Sequence, residues 1–266
     1  MKKLTKKKKL LIKIELAALC ITCASFFVIN SCKEPDYSKH IEPEQEEQLQ
    51  QPLTRSGGLA WSYPVRPGMA EWRQYRTGQQ KWEACQIPQN ILETLSTEEL
   101  AEICFNFPLF LNFAAFDDER FGIRYVVNNF NGLKELSNRK DGARELVNIY
   151  RTCPVISQRD ENYTLTKLSY LELLLSDDAF IKQMDDGMYA ELEKIVLEKY
   201  LGKLENSHIY SLYNINKTFL LGAVITVNRN SGKTFVQQRT ARRFIDNFDK
   251  YDPELLTEMS KIISGL

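Results

Sequence analysis

The chain has 266 residues, with 35 Lys+Arg against 35 Asp+Glu and only two histidines. His40 falls in a polar stretch and His208 stands alone further on, which excludes a histidine-pair zinc site and a metalloprotease helix within one chain. The zero net charge hides an uneven distribution that begins at the first residues.

Residues 2–13 hold seven lysines: Lys2, Lys3, Lys6, Lys7, Lys8, Lys9 and Lys13. A 14-residue apolar run from Leu16 to Ile29 follows, then Asn30-Ser31-Cys32. A basic start, a short apolar centre and a small residue before a cysteine predict a lipoprotein signal peptide over residues 1–31, with Cys32 as the lipidated residue. The run falls short of the roughly 20 residues that a membrane-spanning helix needs. Cleavage near Ser31 with Cys32 left as a thiol is the alternative, because Asn30 stands where small residues are usual. With Lys33-Glu34-Pro35-Asp36 behind it, the signal resembles those of Bacteroidetes lipoproteins, in which a lysine and acidic residues follow the cysteine. Pro35 interrupts that pattern. The resemblance implies an outer-membrane lipoprotein exposed at the surface, and attachment facing the periplasm is the alternative.

Seven lysines and Glu15 leave with the signal, so the mature chain keeps 28 basic and 34 acidic residues, a net charge of about −6. That balance opposes non-specific nucleic-acid binding. Cys20 and Cys23 leave as well, and Cys85, Cys104 and Cys153 remain beside Cys32. Three thiols allow one disulfide at most, and none has the close spacing of a zinc site. Cys104 shares a helical face with Leu100 and Phe107 and reads as a small buried hydrophobe.

Residues 32–58 read as the lipidated cysteine and a flexible acidic tether. Glu42, Glu44, Glu46 and Glu47 are interspersed with glutamine and proline, and Ser56-Gly57-Gly58 ends the stretch. Too little apolar surface is present to offset the entropy of ordering.

The folded part is expected over residues 59–266. Apolar residues step by three and four in Leu100, Ile103, Cys104 and Phe107, and again in Ile123, Val126, Val127 and Phe130. The pattern returns in Ala143–Tyr150, Leu168–Leu175, Met188–Tyr200, Ile215–Val227 and Leu255–Ile263. Each set predicts one stripe of an amphipathic helix. Ser96-Thr97-Glu98-Glu99 is a capping box, and Asp252-Pro253 places a carboxylate cap before a proline in the first turn. Phe107, Phe110, Phe113 and Phe116 are spaced by three and predict the central helix of the core, although Pro108 interrupts the stretch. Val224–Val236 allows a small hairpin, but the Ile215–Val227 stripe favours a helix followed by a loop. Residues 154–163 mark either a boundary between two lobes or a plain joint between helices. The predicted class is all-α, with short amphipathic helices packed as helical hairpins in α-solenoid fashion, although no exact repeat is detectable.

From Tyr63 onward the chain resembles an uncharacterised helical domain of Bacteroidetes predicted lipoproteins and secreted proteins. The resemblance rests on Tyr63-Pro64-Val65-Arg66-Pro67-Gly68, Cys85-Gln86-Ile87-Pro88, Leu95-Ser96-Thr97-Glu98, Phe130–Leu136 and Phe219-Leu220-Leu221-Gly222. It implies location and a helical fold, and it brings no activity and no catalytic residues.

No catalytic constellation is visible. Gly232-Lys233-Thr234 resembles the end of a phosphate loop, but Val227 stands where the motif needs its first glycine. Of the acidic clusters at Asp117–Glu119, Asp177-Asp178, Asp185-Asp186 and Asp246/Asp249/Asp252, most sit where helix N-termini are expected and read as caps. Arg239, Arg242 and Arg243 read as a helix face paired with Asp246 and Asp249. All three tryptophans fall within residues 61–82. Trp61, Tyr63, Trp72, Tyr75 and Trp82 are therefore the candidate ligand-binding residues, since clustered aromatic faces bind sugars or peptides at low entropy cost. Packing of an N-terminal segment onto the helices explains the same cluster. The function expected is a lipid-anchored, non-enzymatic binding module of the cell envelope, held by membrane lipid, taking a protein or glycan ligand and using no cofactor or metal. A carboxylate-dependent envelope hydrolase and a structural subunit of an envelope assembly are the alternatives.

Overall fold

The computed structural model of the chain describes residues 61–156, 161–229 and 232–266. The predicted signal, Cys32 and the tether lie outside the described residues. Every regular element among the described residues is helical, and none is a strand. Two compact units are formed, one ending at Ile195 and the other running from Val196 to Leu266. The joint at residues 154–163 lies inside the first unit.

In the first unit the helix starts follow from capping side chains. Thr77 opens α1 (Gly78–Ala84) and Ser96 opens α3 (Thr97–Phe105), each through a reciprocal capping box with Gln80 or Glu99. Between them lies α2 (Gln89–Leu92). Asp118 caps α4 (Glu119–Asn129), α5 spans Asn131–Leu136 and α6 spans Gly142–Thr152. After α7 (Glu161–Leu175), Asp177 caps the single turn α8 (Asp178–Ile181). Helix α9 (Asp186–Glu205) contains the division between the units.

The expected central helix through Phe107–Phe116 is not one α-helix. Helix α3 ends at Phe105, with Asn106 and Phe107 between it and Pro108, and Phe110–Ala115 forms a 3₁₀ helix. Proline lacks the amide that would continue the helical ladder. A 3₁₀ helix has three residues per turn, so the spacing of three stacks side chains along one edge. Phe110 and Phe113 are buried on that edge and Phe107 is buried ahead of it, while Phe116 follows the helix end and is half-exposed.

This 3₁₀ helix lies backbone to backbone against α4. A Cβ on Gly122 would sit 2.1 Å from the Phe113 carbonyl oxygen and 2.8 Å from its carbonyl carbon, so only glycine permits the approach. The segments Cys85–Pro88 and Phe130–Leu136 also meet. Asn131 Nδ2 donates to the Ile87 carbonyl at 2.7 Å and its Oδ1 accepts from the Ile87 amide at 3.0 Å. The Asn131 amide in turn donates to Gln86 Oε1 at 2.9 Å. The Arg139 guanidinium donates to the carbonyls of Leu92 and Leu95 at 3.1 and 2.7 Å, satisfying groups left open where α2 ends. Cys85, Cys104 and Cys153 are buried and form no disulfide among the described residues, and burial pushes the Cys85 thiol up to about 12.

The second unit is built from the end of α9 and three further helices: α10 (Leu212–Asn228), α11 (Phe235–Asp246) and α12 (Pro253–Ser264). Val224–Asn228 end α10 and Phe235 and Val236 begin α11, so the helix is the outcome and the described residues of Val224–Val236 form no hairpin. Asp252 caps α12 with Pro253 in its first turn, as expected. Phe219 is fully buried between Tyr200 and Phe244, with ring centres 5.5 and 6.2 Å away. The Tyr200 and Ser260 hydroxyls share a buried hydrogen bond of 2.7 Å, and Lys203 Nζ donates to Thr218 Oγ1 at 2.8 Å. Among the described residues no helix is long and apolar enough to cross a membrane.

Candidate ligand-binding surface

The five aromatic residues singled out from sequence do not share one surface. Tyr63 is buried, with its hydroxyl donating to the Ile103 carbonyl at 3.0 Å and its ring near Phe107 and Phe130. Burial raises its pKa well above the ordinary tyrosine value. Trp61 packs edge-on against it at 4.8 Å and is half-exposed. Trp72 is buried beside Tyr75 at 6.0 Å, with Lys81 Nζ 5.6 Å from its ring centre. Tyr63 and Trp72 are thus core residues that attach residues 61–75 to the helices. Phe107 and Phe130, stacked at 4.1 Å, form the centre that Tyr63 packs on.

Trp82 alone of the three tryptophans continues into an exposed aromatic strip. Its ring meets Phe107 at 5.4 Å on the inside and Tyr125 at 5.8 Å on the outside, the two planes at 82°. Tyr125 continues to Phe116 at 5.2 Å, and Phe116 to Phe121 at 5.5 Å. Tyr125 is 39% and Phe121 62% exposed. Tyr125, Phe116 and Phe121 escape a reading based on tryptophan clustering. Their signal is the spacing of Phe121 and Tyr125, one helical turn apart on the face opposite Ile123, Val126 and Val127.

Beside Trp82 and Tyr125 lies a surface groove of about 570 Å³ whose walls include Gln79, Glu83, Gln86 and Asn129. Gln86 is committed to backbone, donating to the carbonyls of Trp82 and Asn129. Gln79 Nε2 donates to Glu83 Oε1 at 2.9 Å, and Asn129 Nδ2 donates to the Tyr125 carbonyl at 2.8 Å. The Gln79 and Asn129 side-chain carbonyls and the second Glu83 oxygen remain as acceptors at the surface. Among the described residues, Trp82 Nε1–H and the Tyr125 hydroxyl have no protein hydrogen-bond partner. Flat apolar faces flanked by solvent-facing donors and acceptors suit a ligand with C–H faces and hydroxyl groups.

The acidic clusters behave mainly as caps. Asp118, Asp177 and Asp252 accept amide hydrogens at the starts of α4, α8 and α12, and Asp185 Oδ1 accepts from the Met188 amide. A second cleft, of about 410 Å³, is lined by Glu98, Glu102 and Glu145 together with Asn148 and Arg151. Its polar groups engage one another: Asn148 donates to Glu145 and accepts from Arg151, which also pairs with Glu191. A paired-carboxylate hydrolase calls for a carboxyl group whose pKa is raised. Glu99 moves the other way, held down by hydrogen bonds from Ser96. For Asp118 desolvation pushes upward, and hydrogen bonds and charge from Arg120 outweigh it, so its pKa also falls. No group of three or more metal-ligating side chains forms among the described residues.

Lys167 is a buried cation of the first unit. Its Nζ donates to the Phe105 carbonyl and lies 3.8 Å from the Phe110 ring centre. Desolvation lowers its pKa from 10.5 to about 7, against a smaller upward pull from Cys153. The unfolded chain keeps the ordinary lysine value, so between about pH 7 and 10 it binds the extra proton and rising pH favours the folded state. Urea denaturation is expected to show stability climbing from pH 7 to 9, by at most about 1.4 kcal/mol per pH unit. Lys167→Met is expected to flatten that climb, and an unchanged slope in the variant would assign it to another group.

The chain matches no known family profile, no curated protein and no solved structure.

Proposed function

We propose that this protein is a lipid-anchored binding module of the cell envelope that holds a glycan against the strip running from Trp82 through Tyr125 and Phe116 to Phe121. The exposed strip carries the reading. Most large aromatics of the first unit are packed inward, whereas these four remain in contact with one another at the surface. Contiguous apolar surface is a cost in water and marks an interaction site. The acceptors of Gln79, Glu83 and Asn129 beside the rings favour a hydroxyl-rich ligand over an apolar peptide. Cys32 is the attachment point on this proposal, and the acidic segment up to residue 58 is the spacer between the outer-membrane anchor and the module.

Affinity electrophoresis and calorimetry against cell-wall and cell-surface polysaccharides test the ligand. Trp82→Ala is expected to weaken binding on the order of tenfold or more, as truncation of a central aromatic anchor does. Tyr125→Ser, at a more exposed ring, is expected to act in the same direction without loss of fold. A panel in which no polysaccharide binds, or in which both variants bind as the parent does, would remove the glycan reading.

A further inference from the structure

The second unit carries a feature that the aromatic strip does not use. Helix α11 begins with Phe235 and Val236, which are 79% and 70% exposed, the most exposed of the large hydrophobic residues described. Gly232 turns the chain at φ 84°, and Thr234 closes a capping box with Gln237. Helix α11 buries Ala241 and Phe244 against its neighbours, which leaves Phe235, Arg239 and Arg242 on its outer face at steps of four and three.

The arginines behind the tip are available. Arg243 is paired with Asp252 at 2.9 Å, whereas Arg239 and Arg242 are exposed and make no ion pair among the described residues. The expected pairing of this face with Asp246 and Asp249 therefore does not form. The wider sequence reinforces the local charge. No Asp or Glu occurs between Glu205 and Asp246, while Lys217, Arg229, Lys233, Arg239, Arg242 and Arg243 all fall there.

We propose that this tip docks onto a bilayer surface bearing anionic phospholipid, with Phe235 and Val236 below the headgroups and Arg239 and Arg242 at their phosphates. The helical rise puts Arg239 about 6 Å and Arg242 about 10 Å behind Phe235. With the α11 axis along the membrane normal, a tip submerged by about 5–10 Å, the depth to which interfacial apolar faces are buried, brings the two arginines to headgroup level. Nucleic acid offers the phosphates but no apolar phase for Phe235 and Val236, and the bilayer offers both. The contact is independent of the glycan strip, which belongs to the other unit.

The test places the photo-crosslinker p-benzoylphenylalanine at position 235 of the full-length chain, reconstituted in phospholipid vesicles. Irradiation is expected to give lipid adducts at that position in vesicles containing phosphatidylglycerol, and few in vesicles of phosphatidylcholine alone. Arg239→Gln with Arg242→Gln is expected to lower the inserted fraction relative to the free fraction roughly 30-fold. Both side chains are exposed and unpaired, and a far-ultraviolet circular dichroism melt checks that the helices persist. Absence of adducts on anionic vesicles, equal yields on neutral vesicles, or yields unchanged in the double variant would each overturn the proposal.

Discussion

Phe110→Ala is expected to destabilise the first unit by about 3–5 kcal/mol, the range for deleting a large buried aromatic side chain. The ring is 2% exposed and lies on the edge of the 3₁₀ helix that packs on α4 and α7. It meets Tyr170 at 5.5 Å, and the Lys167 ammonium lies 3.8 Å from its centre. Removing it leaves a cavity that the backbone cannot collapse into, because Gly122 already brings α4 against the Phe113 carbonyl. It also removes the apolar screen over a buried cation, so the Lys167 pKa is expected to move back toward 10.5 as water reaches Nζ. Thermal melting is expected to shift down by roughly 10 °C or more. Phe121→Ala, at a ring 62% exposed, is expected to leave stability within about 0.5 kcal/mol. Equal effects of the two substitutions would take Phe110 out of the core.

Cys32→Ala is expected to abolish lipid attachment, the largest effect predicted for any single side chain here. One acylated cysteine following a signal peptide holds a domain at the membrane through the apolar area of its chains, at about 0.8 kcal/mol for each buried methylene. Fractionation of cells producing the variant is expected to lose the protein from the outer-membrane fraction. Protease added to intact cells is expected to digest the parent, in keeping with an outward-facing domain. Protection of the parent until the cells are permeabilised would reassign it to the periplasmic face, and incorporation of labelled palmitate into the alanine variant at the parent's level would rule out lipidation at Cys32.

Much of the fold was legible because its signals are local. The capping boxes of α3 and the Asp252-Pro253 start of α12 involve residues three or fewer positions apart, and both formed as the sequence predicts. The stripe Leu255, Leu256, Met259, Ile262 and Ile263 is buried throughout, because a helix repeats its face every three to four residues whatever it packs on. The Phe107–Phe116 stretch shows where local reading falters. Its period of three was visible, and Pro108 was visible, but a period of three suits either a helix core or a 3₁₀ edge, and packing decided for the latter.

The candidate site was legible only in part. Trp82 was named from sequence, but its partners Tyr125, Phe116 and Phe121 come from residues 34 to 43 positions further on, and no local pattern joins them to it. Tyr63 and Trp72 have the same chemistry as Trp82 and are buried, since exposure depends on what the rest of the chain lays over a ring. Arg239 and Arg242 have the same dependence: their acidic neighbours in sequence suggested ion pairs, and among the described residues neither arginine makes one.

By itself the sequence determined the helical class, most helix starts, the apolar faces and the composition that leaves few routes to metal chemistry. These follow from short-range geometry and from which side chains are present. Only the tertiary structure decided which aromatics form the core and which remain at the surface, and which arginines are left without partners. Burial and pairing are properties of segments brought together across long stretches of chain, where the free energy of contact is set by neighbours that no local window contains.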